Sequence, residues 1–449
     1  MNKTLLSGLV VLAGAAALLA QTQRNLIEIS GGERPAIAVP DFRGAGDAQA
    51  RMAAFNARFF EDLQDSGQFR MVPKTVMPLH VPQQPSDFHP PSAGSTAPWL
   101  TDWSSSPVSA NYLAFGYTAI QQGQLALFGW LFDVHQPNLQ NAQLIGKVYL
   151  GSPDDAGARS VADQFAADIL ARFGASSLAG TKIYFVSDRT GHKEIWSMDY
   201  DGSNQKQITD YRSITTFPIV SPDGTKLAFT SFLHNKAEIF MFSLQSGRRL
   251  PFFNQNASMN AASDFTPDSQ HLLLYSTASG GVSQVFESDL DGGNLRRITG
   301  TNSIEVEPKM NPKGSSYVFV SGRGGQPQLY MMNSDGLDAS RLTTGEGEAV
   351  NPSWNPDGIH IAFAWTRGFE PGNYNIFVMD VGTREFQQLT HGVGRNENPN
   401  WAPDGVHIVY SSRRGRTNQI WTMLADGTGQ HQLTTQGTNE KPAWGKAVN

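Results

Sequence analysis

A turn sequence recurs five times at a nearly constant spacing, and this repeat constrains the fold more than any other feature. Each copy has proline in its second position, and the copies are Ser221–Gly224, Thr266–Ser269, Asn311–Gly314, Asn355–Gly358 and Ala402–Gly405. Successive prolines lie 45, 45, 44 and 47 residues apart. Such a period is typical of β-propeller blades. Proline presets φ and glycine tolerates positive φ, so turn chemistry explains the Pro-Asp-Gly corner without a catalytic aspartate.

Each repeat runs through the same order of apolar segments. One strand follows the turn, as in Leu227–Thr230, a second comes soon after, as in Ile239–Phe242, and a short edge strand ends in threonine, as in Arg297–Thr299. These runs are too short, and too rich in β-branched and aromatic residues, for helices. Their nearly continuous apolar character is typical of a sheet that neighbouring blades bury on both faces.

The two ends of the repeat region complement each other. Lys182–Thr209 contains the last three strands of a unit without the first, whereas Pro442–Trp444 matches the start of a unit, as in Pro352–Trp354. Five complete units and these two fragments make six. We therefore predict a mainly β fold, with a six-bladed propeller of four-stranded blades over residues 177–449. Its C-terminal strand would close the ring and hide two sheet edges.

Residues 34–176 lack the repeat and are predicted to form a small α/β domain. The predicted strands are Ala36–Val39, Phe69–Val72, Tyr112–Thr118, Gln124–Val134 and Leu144–Leu150. The predicted helices are Ala48–Asp65, a short one at Trp99–Trp103, and Ser160–Phe173.

The N-terminus is typical of an export signal. Lys3 precedes an apolar run from Leu5 to Ala20, so residues 1–20 are predicted to be a signal peptide. The alternative is a membrane anchor, but the run is shorter than the roughly 20 residues that span a bilayer. The chain has no cysteine, which excludes lipidation at an N-terminal cysteine as well as disulfides. We expect a monomeric periplasmic protein that does not insert into the membrane.

Residues 21–33 would form an N-terminal arm after export. Leu26–Ile29 alternates as a strand does, yet no pairing partner is evident. One interpretation is an arm that stays flexible until a partner supplies a sheet edge, because ordering it alone costs backbone entropy. The other is a strand added to its own domain.

Motifs for catalysis are missing from the sequence. It contains no Gly-x-Ser-x-Gly elbow, no Walker-type phosphate loop and no His-Glu-x-x-His. The net charge of −6 gives no basic footprint for nucleic acid. His271, His360 and His407 follow the repeated turn, where we expect a solvated strand end and not a metal ligand. We predict no catalytic, cofactor or metal site, and therefore no enzyme.

The copies also serve as an internal comparison, because a position that differs from blade to blade is free to carry specificity. Such positions occur where the chain enters each innermost strand, so they form a ring around one mouth of the central channel. The candidate binding residues are Thr216, Phe217, Ala262, Glu307, Asn351, Asn398 and Lys441. Mixed charged, amide and small side chains suit recognition of a protein loop or peptide. The competing interpretation is generic loop solubility.

The order of these elements resembles the TolB family, the periplasmic propellers of the Tol–Pal envelope system. The resemblance runs from the export signal through the Arg34–Phe42 opening to Trp444. It implies that the mouth binds the outer-membrane lipoprotein Pal, with Ala262 and Glu307 at Pal-contacting positions, and that the arm binds inner-membrane TolA. The arm residues assigned to TolA are Arg24, Leu26, Glu28 and Ile29.

By this resemblance the protein is a non-catalytic component that links Pal, TolA and other envelope proteins, with roles in envelope integrity, cell division and protein import. The alternative is a TolB-like propeller enzyme such as a metal-dependent polysaccharide lyase, which needs convergent histidines at the channel mouth. An oligopeptidase gate is a further class, but it needs a hydrolase domain whose motifs are missing.

Overall fold

The structure, a computed structural model, describes Leu26 and residues 34–92, 97–278, 281–392 and 394–446. It contains an α/β domain followed by a six-bladed β-propeller, which confirms the predicted mainly β fold. The predicted signal peptide, residues 1–20, lies outside the described residues. No helix in the described part of the chain has the length and apolarity that crossing a bilayer requires.

The α/β domain is built on a six-stranded sheet. Its strands are β1 (Ala36–Ala38), β2 (Arg43–Ala45), β3 (Arg70–Met71), β4 (Tyr112–Gln121), β5 (Gln124–Asp133) and β6 (Gln143–Gly151). Its helices are α1 (Met52–Asp65), α2 (Thr101–Ser104), α3 (Leu139–Ala142) and α4 (Asp155–Arg172), with 3-10 turns at Gly46–Arg51, Lys74–Val76 and Pro85–Asp87. The strand order is β3-β1-β4-β5-β6, and β2 pairs with β4. The predicted elements are thus present, with ends shifted by a few residues.

Helices α1 and α4 cover one face of this sheet with aromatic side chains. The Phe59 and Phe165 rings stack with centroids 4.9 Å apart, and both are fully buried. Asp154 caps α4 by accepting a hydrogen bond from the Gly157 amide at 2.8 Å, which fixes where the helix begins. On the other face Trp103 is buried in a separate apolar cluster. The domain therefore has a core on each side of its sheet.

Six four-stranded antiparallel sheets form the propeller. The first blade is β10 (Thr215–Val220), β11 (Lys226–Ser231), β12 (Glu238–Ser243) and β13 (Arg248–Leu250). The second is β14 (Asn260–Phe265), β15 (His271–Ser276), β16 (Gln284–Asp289) and β17 (Arg296–Arg297). The third is β18 (Glu305–Met310), β19 (Ser316–Ser321), β20 (Gln328–Asn333) and β21 (Ser340–Arg341). The fourth is β22 (Ala349–Trp354), β23 (His360–Trp365), β24 (Asn375–Asp380) and β25 (Phe386–Gln388). The fifth is β26 (Arg395–Trp401), β27 (His407–Arg413), β28 (Gln419–Leu424) and β29 (His431–Gln432).

The closing blade joins the two ends of the repeat region. It is formed by β30 (Asn439–Gly445), β7 (Lys182–Ser187), β8 (Glu194–Asp199) and β9 (Lys206–Gln207), in that order. Trp444 pairs with Ile183 in the antiparallel register of β30 and β7. This is the predicted closure, in which the C-terminal strand becomes the innermost strand of a blade begun more than 200 residues earlier.

The outermost strand of most blades is short because a threonine side chain takes over its pairing. The hydroxyl oxygen accepts a hydrogen bond from the amide of the second residue of the third strand, at 2.8 to 3.0 Å. The threonines are Thr209, Thr299, Thr343, Thr390 and Thr434. In the first blade the Asn254 amide oxygen accepts the Ile239 amide instead, at 2.7 Å. The predicted edge strands ending in threonine therefore stop a few residues earlier than expected.

A buried charge cluster joins the α/β domain to the propeller. Arg58 of α1 contacts Asp62 at 3.3 Å, Asp163 of α4 at 2.6 Å and Asp201 of the closing blade at 2.5 Å. The Tyr200 hydroxyl donates a hydrogen bond to Asp62. Burial raises the pKa of Asp62, and the Arg58 guanidinium opposes that shift. We call Arg58, Asp62, Asp163 and Asp201 the interdomain charge cluster.

His407 is a second interdomain contact, and the expectation of a solvated strand end was wrong for this histidine. Its ring lies between the Asp404 carboxylate and the Asp65 backbone carbonyl, each 2.6 Å from a ring nitrogen. The residue is buried because the end of α1 covers this part of the fifth blade. The equivalent His271 is partly exposed, as expected. The difference arises because the α/β domain covers some turns of the propeller and leaves others in solvent.

Candidate functional site

Each innermost strand is interrupted by a β-bulge near the same end of the propeller. In five blades the bulged residue adopts a left-handed backbone conformation with φ between 51° and 55°, and proline follows it. These residues are Phe217, Glu307, Asn351, Asn398 and Lys441. Proline has no amide hydrogen to give to the ladder, so the pairing skips at this point. The bulge places five of the candidate residues in equivalent positions.

The second blade departs from this pattern. Serine follows Ala262 where the other blades have proline, and Ala262 keeps an ordinary backbone conformation. Its amide donates a hydrogen bond to the Thr230 hydroxyl at 3.2 Å, and the residue is buried. Ala262 therefore presents only a small, buried side chain at its position in the ring.

The six equivalent residues surround one depression of about 740 Å³ at the mouth of the channel. We call them the mouth ring: Phe217, Ala262, Glu307, Asn351, Asn398 and Lys441. Thr216, the remaining candidate, lies apart from the depression. It is buried and pairs with Thr230 inside the first blade. The structure thus brings together six of the seven candidate residues.

Hydrogen bonds connect the ring residues of three successive blades. The Asn351 backbone and side-chain amides both donate to the Glu307 carboxylate, at 2.7 and 3.0 Å. The Asn398 backbone amide donates to the Asn351 side-chain oxygen at 3.3 Å, and its own side-chain amide donates to Ser411 at 3.1 Å. This side of the mouth is preorganised, with its amides already engaged.

The opposite side of the mouth is aromatic and cationic. The Lys441 ammonium lies 3.8 Å from the centroid of the Phe217 ring, a cation–π contact. The Phe217 ring packs edge-on against Tyr275 with centroids 6.3 Å apart. Burial lowers the pKa of Lys441, although Glu307, Glu440 and Glu397 act in the other direction.

A second layer of residues lies deeper in the channel, two positions after each ring residue. Asp264 accepts a hydrogen bond from the Met310 amide at 3.0 Å, and the neighbouring Lys309 donates to the Ser263 carbonyl. Burial raises the pKa of Asp264, and Lys309 opposes that shift. The side-chain oxygen of Asn400 accepts the Trp444 amide at 2.7 Å. This layer was not predicted from the sequence. Comparing the residues two positions after each ring residue among the repeats would have identified it.

The opposite end of the channel is a wider space of about 1000 Å³, lined in part by the prolines of the repeated turns. Among the described residues, no histidine lines either end of the channel. The described residues also contain no group of three or more histidine, aspartate or glutamate side chains arranged to hold a metal ion. The convergent histidines that a metal-dependent lyase needs are therefore not found in this part of the chain.

Of the four arm candidates, the structure describes one. The Leu26 amide donates a hydrogen bond to the Gln387 side chain at 3.1 Å, beside the outermost strand of the fourth blade. Arg24, Glu28 and Ile29 lie outside the described residues. Leu26 is thus placed on the propeller, away from the sheet of its own domain.

Comparisons with known proteins agree with this architecture. Residues 172–448, more than half of the chain, match the family described as the TolB beta propeller domain. A protein TolB homolog of Chlorobium chlorochromatii is 32% identical over 217 residues, which cover 48% of this chain and 47% of that protein. The Tol-Pal system protein TolB of Bordetella pertussis is 28% identical over 322 residues, covering 71% and 68%. The chain thus matches about half the length of the Chlorobium relative.

A solved structure shows the same overall fold. The crystal structure of TolB from Acinetobacter baumannii superposes with a TM-score of 0.74 at 23% sequence identity, covering 92% of this chain and 97% of that one. The chain therefore belongs to the TolB family of β-propeller proteins.

Proposed function

We propose that this protein is a non-catalytic, periplasmic component of the Tol–Pal system that links the outer-membrane lipoprotein Pal to inner-membrane TolA. The mouth ring would bind Pal, and the arm, residues 21–33, would bind TolA. Roles in envelope integrity and cell division follow from such a link. The Tol-Pal naming of the Bordetella relative supports the assignment to this system.

The observation that carries the proposal is the mouth ring. Its six residues differ in charge, size and polarity, yet the repeated bulge brings all of them to one depression. Because the ladder skips at the bulge, these side chains can vary without changing the pairing that holds the blade. A central depression with an aromatic residue and a few fixed polar groups is typical of a protein-binding hot spot.

Charge reversal at Glu307 tests binding at the mouth. The probe is the soluble domain of Pal from the same organism, with affinity measured by calorimetry. We expect Glu307→Lys to weaken binding by about 1–3 kcal/mol. Glu307 also accepts hydrogen bonds from the Asn351 amides, so Glu307→Lys changes more than the charge. Glu307→Gln is therefore measured in parallel, because it removes the charge and keeps an acceptor for these amides.

The matched control is Glu385→Lys, in the exposed turn before β25. We expect it to bind Pal as the unchanged protein does. Melting temperatures measured on all variants separate lost binding from lost folding. Equal affinity of Glu307→Lys and the unchanged protein would remove the ring from the proposed site.

The arm is tested by deleting residues 21–33. We expect the shortened protein to lose binding to the periplasmic domain of TolA and to retain binding to Pal. Retained TolA binding would place that interaction elsewhere on the chain.

A further inference from the structure

Lys441 is the only cation of the mouth ring, and no carboxylate among the described residues forms an ion pair with it. Within the described residues, no hydrogen bond and no ion pair within 4 Å reaches its ammonium group, which contacts the Phe217 ring. The neighbouring charges are already engaged. Glu440 contacts Lys193 at 2.5 Å, and Glu397 contacts Arg395 at 2.6 Å.

The charges of the mouth are also divided between its two sides. Glu307 belongs to the third blade and Lys441 to the closing blade, which lie opposite each other in a ring of six. Glu307 accepts hydrogen bonds from the neutral amides of Asn351, and no cation among the described residues lies within 4 Å of its carboxylate. The mouth therefore presents an anion on one side and an unpaired cation on the other.

The donors around Lys441 define which anion can bind there. Five ring residues precede proline, which offers no amide hydrogen, and the amides of Asn351 and Asn398 are already engaged. A phosphate or sulfate needs several donors at once, whereas a single ammonium matches one carboxylate as a point charge. The adjoining rings of Phe217 and Tyr275 suit the apolar part of a peptide.

We propose that the protein segment bound at the mouth carries an aspartate or glutamate side chain that pairs with Lys441. This inference rests on the proposed function, because it assumes that a protein partner enters the mouth. Pairing would give Lys441 the counter-charge that it lacks and would orient the segment, with its acidic end toward the closing blade and a donor toward Glu307.

The test replaces Lys441 by methionine, which is also unbranched and of similar length, and measures binding of the soluble Pal domain. We expect Lys441→Met to raise Kd by roughly 10- to 100-fold. The control is Lys446→Met, an exposed lysine at the opposite end of the channel, for which we expect no change.

Substitutions on the partner identify the carboxylate. Each acidic residue of the Pal domain is changed to its amide and measured against both the unchanged protein and Lys441→Met. We expect one of these changes to weaken binding to the unchanged protein and to have no further effect on Lys441→Met. Reversing that acid to lysine should restore binding to Lys441→Glu.

A spectroscopic readout separates ion pairing from a structural role. The side-chain resonances of labelled Lys441 report its pKa, which should rise when Pal binds, because a carboxylate stabilises the charged form. Glu307, Glu397, Glu440 and Lys193 also influence this ammonium, so the complex is compared with the free protein at the same ionic strength.

The outcomes distinguish the two proposals. If the unchanged protein binds Pal and Glu307→Lys weakens binding while Lys441→Met does not, the pairing with Lys441 is overturned and the proposed function stands. If the unchanged protein does not bind Pal at all, the proposed function is overturned, and this inference with it.

Discussion

The indole nitrogen of Trp444 donates a hydrogen bond to the Thr181 hydroxyl at 3.0 Å, although the two residues lie 263 positions apart in the chain. Trp444 is the penultimate residue of the innermost strand of the closing blade, and Thr181 comes immediately before the next strand of the same blade. This contact therefore joins the two ends of the ring.

Removal of the closing strand should destabilise the whole propeller. We expect Trp444→Ala to lower the free energy of unfolding by about 3–5 kcal/mol, because it leaves a cavity in a buried cluster. Deletion of residues 440–449 should cost more, since it also exposes the edge of β7. Thr181→Val, which removes the acceptor for the Trp444 indole and the donor to the Leu178 carbonyl, should cost about 1–3 kcal/mol. Urea unfolding measures all three, and a truncated chain as stable as the full one would contradict the closure.

The interdomain charge cluster should depend on its single cation. Replacing Arg58 by methionine leaves three buried or half-buried carboxylates next to each other, so we expect a loss of about 3–5 kcal/mol in the free energy of unfolding. The control is Arg51→Met, which breaks an exposed ion pair with Asp155 and should cost less than about 1 kcal/mol. Equal losses for the two variants would mean that the cluster does not stabilise the interface.

The His407 contact should make stability depend on pH. Burial lowers the pKa of His407, but the Asp404 carboxylate outweighs this effect and the net pKa is raised. Stability from His407 is therefore fully present below the unfolded pKa of about 6.5 and is lost as the pH rises through the folded pKa. Burial raises the pKa of Asp404, but His407 outweighs this effect and the net pKa is lowered, so the stability from Asp404 is present above the unfolded pKa of about 3.9 and is lost as the pH falls through the folded pKa.

We accordingly expect His407→Gln to lower the melting temperature more near pH 5.5 than near pH 9. Asp65 also faces His407. Because Asp65 is present in both proteins, the difference in melting temperature between the variant and the unchanged protein at each pH removes most of the effect of Asp65. His271→Gln, at the equivalent position of the second blade, is the control and should change little. The same loss at both pH values would show that the ring of His407 acts by packing alone.

The bulge at the mouth should reject β-branched residues. Asn351 has a φ of 54°, a region that glycine and asparagine tolerate and valine does not. Asn351→Gly and Asn351→Val both lose the hydrogen bond from the side chain to Glu307, but we expect valine to be less stable than glycine by about 1–2 kcal/mol. Thermal unfolding measures the difference, and equal stability would argue against the left-handed conformation.

The propeller could be predicted from the sequence because the turns and strands that indicate it are local patterns that recur from blade to blade. The turn at Pro222 and the fragment at Pro442 each recur in several copies, so period and closure could be counted. The mouth ring was predicted for the same reason. Thr216 was included because it neighbours Phe217, but successive residues of a strand face opposite sides, and Thr216 points into the blade.

The contacts between domains could not be predicted in this way. Arg58 and Asp201 are 143 positions apart, and His407 and Asp65 are 342 apart. No repeat or spacing records such a pairing, which depends on how two separately folded units dock. The burial of His407 and the raised pKa of Asp62 follow from that docking and became visible only with the structure.

The docking surface of the α/β domain has a consequence for biosynthesis. A ribosome makes this domain first, yet its contacts on the fifth blade, His407 and Asp426, are translated near the end of the chain. The nascent domain can contact Asp201 of the closing blade early, but its docking surface is complete only when nearly the entire polypeptide has been made. A chain that stalls or is clipped before Asp404 would leave the end of α1 without its cover, an unfinished surface that proteases and chaperones can recognise.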